Sequence, residues 1–194
     1  MTAPEPDGTP PPDPEPFPPF EVARSERIYA SDWCGLRRDM IVLADGSLQE
    51  HHVIELDDAV VVVPVIADGS IVMIGQHRHT HGKTHWELPA GRLLEGEAPE
   101  DGAARELLEE TGYRARRLVP LPGFYPTNGI SAHYAHAFCG LECEPAGEPD
   151  LDPAERLVVR VFTEREVEAL VDAGRVRDGF AALALLYYWR RRPG

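Results

Sequence analysis

Three glutamates, Glu106, Glu109 and Glu110, stand at i, i+3 and i+4 in the run Arg105-Glu106-Leu107-Leu108-Glu109-Glu110-Thr111-Gly112-Tyr113. On a helix that spacing puts them on one face about one turn long. Like charges so placed weaken an isolated helix by roughly a few tenths of a kcal/mol per pair. A divalent cation held between them removes that cost. Carboxylate oxygens are hard ligands and suit Mg²⁺ or Mn²⁺ rather than zinc. Alone, a Glu-x-x-Glu-Glu run is more often a solvated helix face, so its surroundings decide between the two readings.

The elements around the glutamates are those a fixed carboxylate face requires. Pro99 suits the first helical turn, and Gly112 stands where a left-handed residue usually ends a helix. Gly102 costs the helix roughly 1 kcal/mol relative to Ala, so tertiary packing must hold it. Trp86-Glu87-Leu88-Pro89-Ala90-Gly91 leads in. Pro89 sets a bend there, and Gly91 is read as the turn that lets the Ala90 carbonyl face a metal. Upstream, Ala59 to Ile66 is an almost continuous β-branched run, the mark of a strand buried on both faces. Asp68-Gly69 is a turn, and Ile71 to Gln76 is the returning strand. His77, His79, His81 and His85 follow within nine residues. They read as a transition-metal site or, because Gly82 argues for a loop, as a polar loop near the site whose partial protonation helps hold phosphate.

Elsewhere the pattern is that of an ordinary domain with additions. Residues 1–19 are mostly Pro with acidic residues and read as a disordered or polyproline-like tail, solubilising or a ligand for a proline-binding domain. Residues 20–57 suggest an antiparallel sheet, with Ala44-Asp45-Gly46-Ser47 as a turn between apolar runs. Trp33 there is a packing residue or a base-stacking one. Beyond the glutamates, Tyr113 to Leu121 and Ala132 to Leu141 read as strands flanking the turn-rich segment 122–131. Residues 142–152 read as a linker, and Leu157 to Phe162 as a strand. Thr163 and Glu166 form a capping box for a helix through Val171. Phe180 to Trp189 is an apolar final helix, and Arg190 to Arg192 match its dipole.

Gross composition narrows the partners. The 194 residues carry 19 Lys and Arg against 33 Asp and Glu, a net charge of −14. Such a chain binds nucleic acid or anionic membrane poorly, and metal ions must supply positive charge toward a phosphate ester. Three cysteines, Cys34, Cys139 and Cys143, make no disulfide framework. No secretory signal is visible, and no apolar run reaches the ~20 residues of a membrane helix. A cytoplasmic location is the expectation.

The pattern Gly-x5-Glu-x7-Arg-Glu-(apolar)-x-Glu-Glu-x-Gly-(apolar) is met in full by Gly91, Glu97, Arg105, Glu106, Leu107, Glu109, Glu110, Gly112 and Tyr113. It resembles the Nudix box. The resemblance implies an α+β fold, an α/β/α sandwich around a mixed β-sheet over residues 58–194, here with a small N-terminal antiparallel sheet at 20–57. It also implies that bound Mg²⁺ or Mn²⁺ and water cleave a pyrophosphate. Carried over by position, Glu106, Glu109, Glu110 and the Ala90 carbonyl are the implied metal ligands, while Glu97 and Arg105 orient the helix by ion pairing.

Within that family, Val63-Pro64-Val65 with Ile74-Gly75-Gln76-His77-Arg78, the lead-in at 86–91 and the loop at 124–131 look like ADP-ribose pyrophosphatases. These cleave ADP-ribose or other nucleoside diphosphate sugars and are typically homodimers whose N-terminal sheets complete the partner's site. By that analogy Arg78 and Glu87 lie near the nucleotide, and Trp33 stacks on it from the neighbouring subunit. One departure stands out: His133 falls where the family's loop carries a glutamate. No acidic residue lies between Tyr113 and Glu142. The base is then Glu109, Glu110 or His133, whose ordinary pKa near 6.5 suits the task. A non-catalytic ligand sensor and a housecleaning triphosphatase are the competing readings. The intact box argues against the sensor, and the extra N-terminal sheet against the triphosphatase.

Overall fold

The structure, a computed structural model, describes residues 12–153 and 155–193. The tail expected over 1–19 therefore lies partly outside the described residues; 12–20 are exposed and without regular structure.

Two sheets form. The smaller is an antiparallel meander of β1 (Val22–Ala30), β2 (Gly35–Val42) and β3 (Leu48–Glu55). The turn between β2 and β3 falls at the expected residues, with Gly46 at φ 81° and the Asp45 carboxylate accepting from Ser47 N–H at 2.9 Å. The larger sheet is mixed and eight-stranded. Its centre is β4 (Ala59–Ile66), parallel to β10 (Ala135–Pro145) and antiparallel to β7 (Ala90–Arg92). Beside them, β5 (Ile71–Arg78) pairs with β6 (Lys83–Glu87) on one side and β11 (Leu157–Phe162) on the other.

The β-branched run of β4 makes the layers. Successive strand residues face opposite ways, so Val61, Val63 and Val65 enter one core and Val60 and Val62 another. The first core is closed by α2 (Glu164–Asp172) and α3 (Gly179–Arg191) through Val167, Ala181, Ala184 and Leu185. The second is closed by α1 (Pro99–Thr111) through Ala103 and Leu107, both fully buried. At about 1.5–3 kcal/mol for a fully buried Val or Leu side chain, this two-sided burial dominates what holds the sheet between its helices. The result is the expected α/β/α sandwich.

Local signals behave as read for the caps. Thr163 and Glu166 form the reciprocal capping box of α2. Pro99 opens α1, and Gly112 closes it at φ 71°. Gly102 lies buried where a Cβ would come within 2.5 Å of Leu93 Cδ2, which is why packing tolerates a glycine inside α1.

Two segments differ from the sequence reading. Residues 113–121 form two short strands, β8 (Tyr113–Arg114) and β9 (Arg117–Pro120), rather than one. Residues 142–152 are not a free linker. β10 continues to Pro145, and the chain then folds against the end of α1. The N–H groups of Ala146 and Gly147 donate to Gly112 O at 2.8 and 3.1 Å, and that of Asp150 to Glu109 O at 2.8 Å. The last carbonyls of a helix need partners from elsewhere, and this segment supplies them.

Gly112 bears the sharpest demand in that arrangement, because its φ is left-handed and a Cβ would collide with Gly147 O. Gly112→Ala should therefore lower stability by about 1–2 kcal/mol or more, read by denaturant unfolding. Unchanged stability would mean that the docked segment does not form.

Candidate active site

Packing of Ala103 and Leu107 against β4 turns the glutamate face of α1 toward β7. Glu110 is only 2% exposed, and its Oε2 accepts the Ala90 N–H at 2.8 Å. Glu106 lies directly over Gly91, so closely that a Cβ on that residue would overlap its carboxyl group. Gly91 sits in β7 and is not among the glycines of positive φ. Space for Glu106, rather than the freedom to turn, is what requires glycine here; this corrects the sequence reading.

Arg105 organises the face. Its guanidinium donates to Glu97 through Nε and Nη2, both at 2.8 Å, to Arg92 O at 2.9 Å, to Glu106 at 2.6 Å and to Glu109 at 3.0 Å. The bond from Arg105 pulls the Glu97 carboxyl down to about 2. Glu110 moves the other way, to about 8, because burial disfavours its charge and Glu106 and Glu155 add like charge, against the Ala90 N–H. Burial also raises Glu106, against Arg105 and with the charges of Glu109 and Glu155.

Glu155 is the residue the sequence reading missed. It belongs to the segment leading from the α1 end into β11, and its charge reaches both Glu106 and Glu110. It lies beyond the loop where an acidic residue was sought, and it carries no motif of its own. Only the docking of 146–150 on α1 brings that segment back.

Among the described residues, no three His, Cys, Asp or Glu side chains converge as a ready-made metal cage. The donor set nevertheless suits Mg²⁺ or Mn²⁺. Magnesium takes one or two carboxylates and fills its other positions with water and substrate phosphate. Glu106 and Glu110 are two carboxylates close to the Ala90–Gly91 backbone, the first half-buried and the second buried. Glu109 is 43% exposed and held by Arg105, at the rim of that arrangement.

Next to the glutamates opens a cavity of about 330 Å³ lined by Arg78, Ala90, Gly91, His133, Asp178 and Phe180, among others. Arg78 is clamped by Glu87, with Nη2 at 2.6 Å and Nε at 3.2 Å from Oε2. Burial works against the charge of Arg78, but Glu87, with smaller contributions from Asp178 and Glu110, holds it above the usual value. Glu87 itself is 2% exposed, so its part is to orient Arg78. Asp178, also missed, caps α3 by accepting Ala181 N–H at 2.8 Å. Burial and the nearby Glu87 raise its carboxyl. His133 is buried, with Nδ1 3.1 Å from Ser131 Oγ and its ring 6.4 Å from that of Phe180.

Trp33 stands apart from this cavity. It is 69% exposed in the β1–β2 connection, and the guanidinium of Arg92, a cavity residue, lies 4.7 Å from its ring centre. The histidines at 77–85 spread along the β5–β6 hairpin. His81 and His85 have rings 4.9 Å apart, but they join no metal cluster among the described residues.

Comparison with known proteins agrees with this geometry. Residues 55–182 match the NUDIX domain, and the chain belongs to that family. It is 33% identical over 163 residues to the ADP-ribose pyrophosphatase of Bacillus subtilis (strain 168), covering 84% of this chain and 88% of that protein. It is 35% identical over 132 residues to the ADP-ribose pyrophosphatase of Mycobacterium tuberculosis (strain ATCC 25618 / H37Rv), covering 68% of this chain and 64% of that protein. A crystal structure of an ADP compounds hydrolase superposes with a TM-score of 0.78 at 16% identity, over 91% of this chain and 95% of the other, a likeness of fold.

The Glu97–Arg105 pair ties the loop before α1 to the helix. Replacing it by Glu97→Gln should cost about 2 kcal/mol near neutral pH, as for a hydrogen bond between charged groups. Because the folded pKa is depressed, this stability is present above the ordinary carboxylate value and is lost as pH falls toward about 2. The difference between the two proteins in thermal unfolding should therefore shrink between pH 5 and pH 2, all values approximate. A difference independent of pH would contradict the ion pair.

Proposed function

We propose that this protein hydrolyses the pyrophosphate bond of a nucleoside diphosphate sugar of the ADP-ribose kind, giving a nucleoside monophosphate and a sugar phosphate. The observation carrying the reading is the pair of buried Glu110 and half-buried Glu106 facing the Ala90–Gly91 backbone beside a cavity that contains Arg78. The relatives support the substrate class, since two of them are ADP-ribose pyrophosphatases aligned over most of this chain. Mg²⁺ or Mn²⁺ is the proposed cofactor, held by Glu106 and Glu110 with the Ala90 carbonyl, and Glu109 close behind.

Bound divalent metal would neutralise the diphosphate charge and sharpen the attacking water. The protein's own residues do the rest. Arg78, fixed by Glu87, offers a guanidinium oriented for phosphate oxygens. Phe180, Ala90 and Gly91 form part of the cavity wall. Two groups are candidates to take the proton from water. Glu155 is one candidate: its charge is felt at both Glu106 and Glu110, and its Oε2 accepts the Asp152 N–H at 2.9 Å. His133 lines the cavity itself. Glu109 is less suited, because Arg105 holds it.

Homodimerisation is proposed through the N-terminal sheet. Nearly all of β1 is exposed, Ile28 and Tyr29 included, as are Trp33 and Leu48. A sheet this bare needs a covering partner. Such a dimer is also what would bring Trp33 near the nucleotide of a neighbouring subunit.

Incubation with Mg²⁺ and a panel of ADP-ribose, GDP-mannose, UDP-glucose and nucleoside triphosphates should release monophosphate from at least one diphosphate sugar. Glu110→Gln should abolish that release. Tight binding without turnover across the panel would favour a ligand sensor instead, and turnover of triphosphates alone a housecleaning enzyme. The base is assigned by two further variants. Glu155→Gln should lower kcat by roughly 100-fold or more, while His133→Ala should leave the pH profile between 6 and 9 in shape. The reverse result would transfer the role to His133.

A further inference from the structure

A recess of about 630 Å³ is separate from the catalytic cavity and shares no lining residue with it. It lies where β6 and β5 meet the α2–α3 connection. Lys83, His85, Arg175 and Arg177 line it, and no Asp or Glu does. In a chain with 33 acidic and 19 basic residues that local inversion is unusual. Among the described residues, none of the four makes an ion pair, whereas most of the β1–β3 arginines and Arg105 do.

The fold holds these basic side chains together. Lys83 and His85 are two apart on β6 and so project from one side of it. Val176, 8% exposed, is anchored in the core and leaves Arg175 and Arg177, on either side of it, outside. The Nε of Arg177 is fixed on Gly174 O at 3.0 Å. Trp86 also lines the recess, and Gly75 keeps the space beside its ring clear: a Cβ there would come 3.1 Å from Trp86 Cζ3. Clustered unpaired cations reverse the field of an acidic protein locally and gather anions. Guanidinium groups match phosphate oxygens in particular, and an indole face adds a flat apolar surface. The volume is within the usual range for small-molecule sites.

We infer that this recess is a second ligand site, taking a small phosphate-bearing molecule with two or more negative charges, such as a sugar phosphate or nucleoside monophosphate. It requires no metal and goes beyond the hydrolytic reading without resting on it. Arg177 directly precedes Asp178, so a ligand here touches the same connection that lines the catalytic cavity.

Calorimetric titration tests the site, using the full-length Glu110→Gln protein in EDTA so that turnover and metal-borne binding are removed. The probes are inorganic pyrophosphate, ribose 5-phosphate and AMP. Saturable binding is expected, weaker at higher salt, and reduced by at least about tenfold in Lys83→Ala/Arg175→Ala/Arg177→Ala. Equal affinity for pyrophosphate and AMP would assign the binding to charge; preference for AMP would add the Trp86 face. Circular dichroism and light scattering check that the triple variant keeps its fold and mass. The inference fails if no probe binds, or if the folded triple variant binds as tightly as its parent, which would put the ligand in the catalytic cavity. It also fails if the triple substitution changes only the oligomeric mass, which would make the recess an interface between copies.

Discussion

Two carboxylates, buried Glu110 and half-buried Glu106, face the Ala90–Gly91 backbone, and only Glu106 of the two is bonded to a cation. Arg105 is the one cation bonded to the glutamate face among the described residues, and Glu97 takes two of its nitrogen donors. Glu110 is left with one N–H donor, and its proton is held up to about 8. Burying an uncompensated carboxylate is costly unless it takes up a proton or meets a cation. The rest of the structure serves to keep that unfavourable arrangement in place.

Three features do so. β4 is apolar on both faces and binds α1 to one side of the sheet while α2 and α3 close the other. β7 presents a glycine exactly opposite a glutamate that needs the space, and its neighbour Ala90 supplies the N–H that fixes Glu110. The chain after β10 returns to cap the end of α1 and carries Glu155 with it. Each is a packing device, and together they make a short helix with a glycine in its interior rigid enough to hold carboxylates in register.

The charge distribution follows from the same need. A strongly acidic chain repels phosphate in general. In the cavity beside the glutamates Arg78 is paired with Glu87, and Arg92 is a second cation among the acidic residues there. In the Lys83–Arg175–Arg177 recess, on a different part of the surface, no Asp or Glu lines the wall. Cations kept apart from the acidic majority act as selective contacts rather than as a general attractive field.

The glutamate face, its start at Pro99 and its end at Gly112 were legible in the sequence, because helical period and left-handed caps are local properties of the chain. So were the two-sided core of β4, the β2–β3 turn, the capping box of α2 and the family resemblance, each carried by residues within a few positions of one another. Tertiary structure alone decided which long-range neighbours these residues meet. Gly91 proved necessary for the room it gives Glu106, Glu87 proved to be buried under Arg78, and residues 142–152 proved to be docked rather than loose. Glu155 and Asp178 joined the site without any motif to announce them. Spacing along a chain reports what lies one turn or one strand step away; it is silent about carboxylates brought together across 45 or more residues by the closing of a sheet.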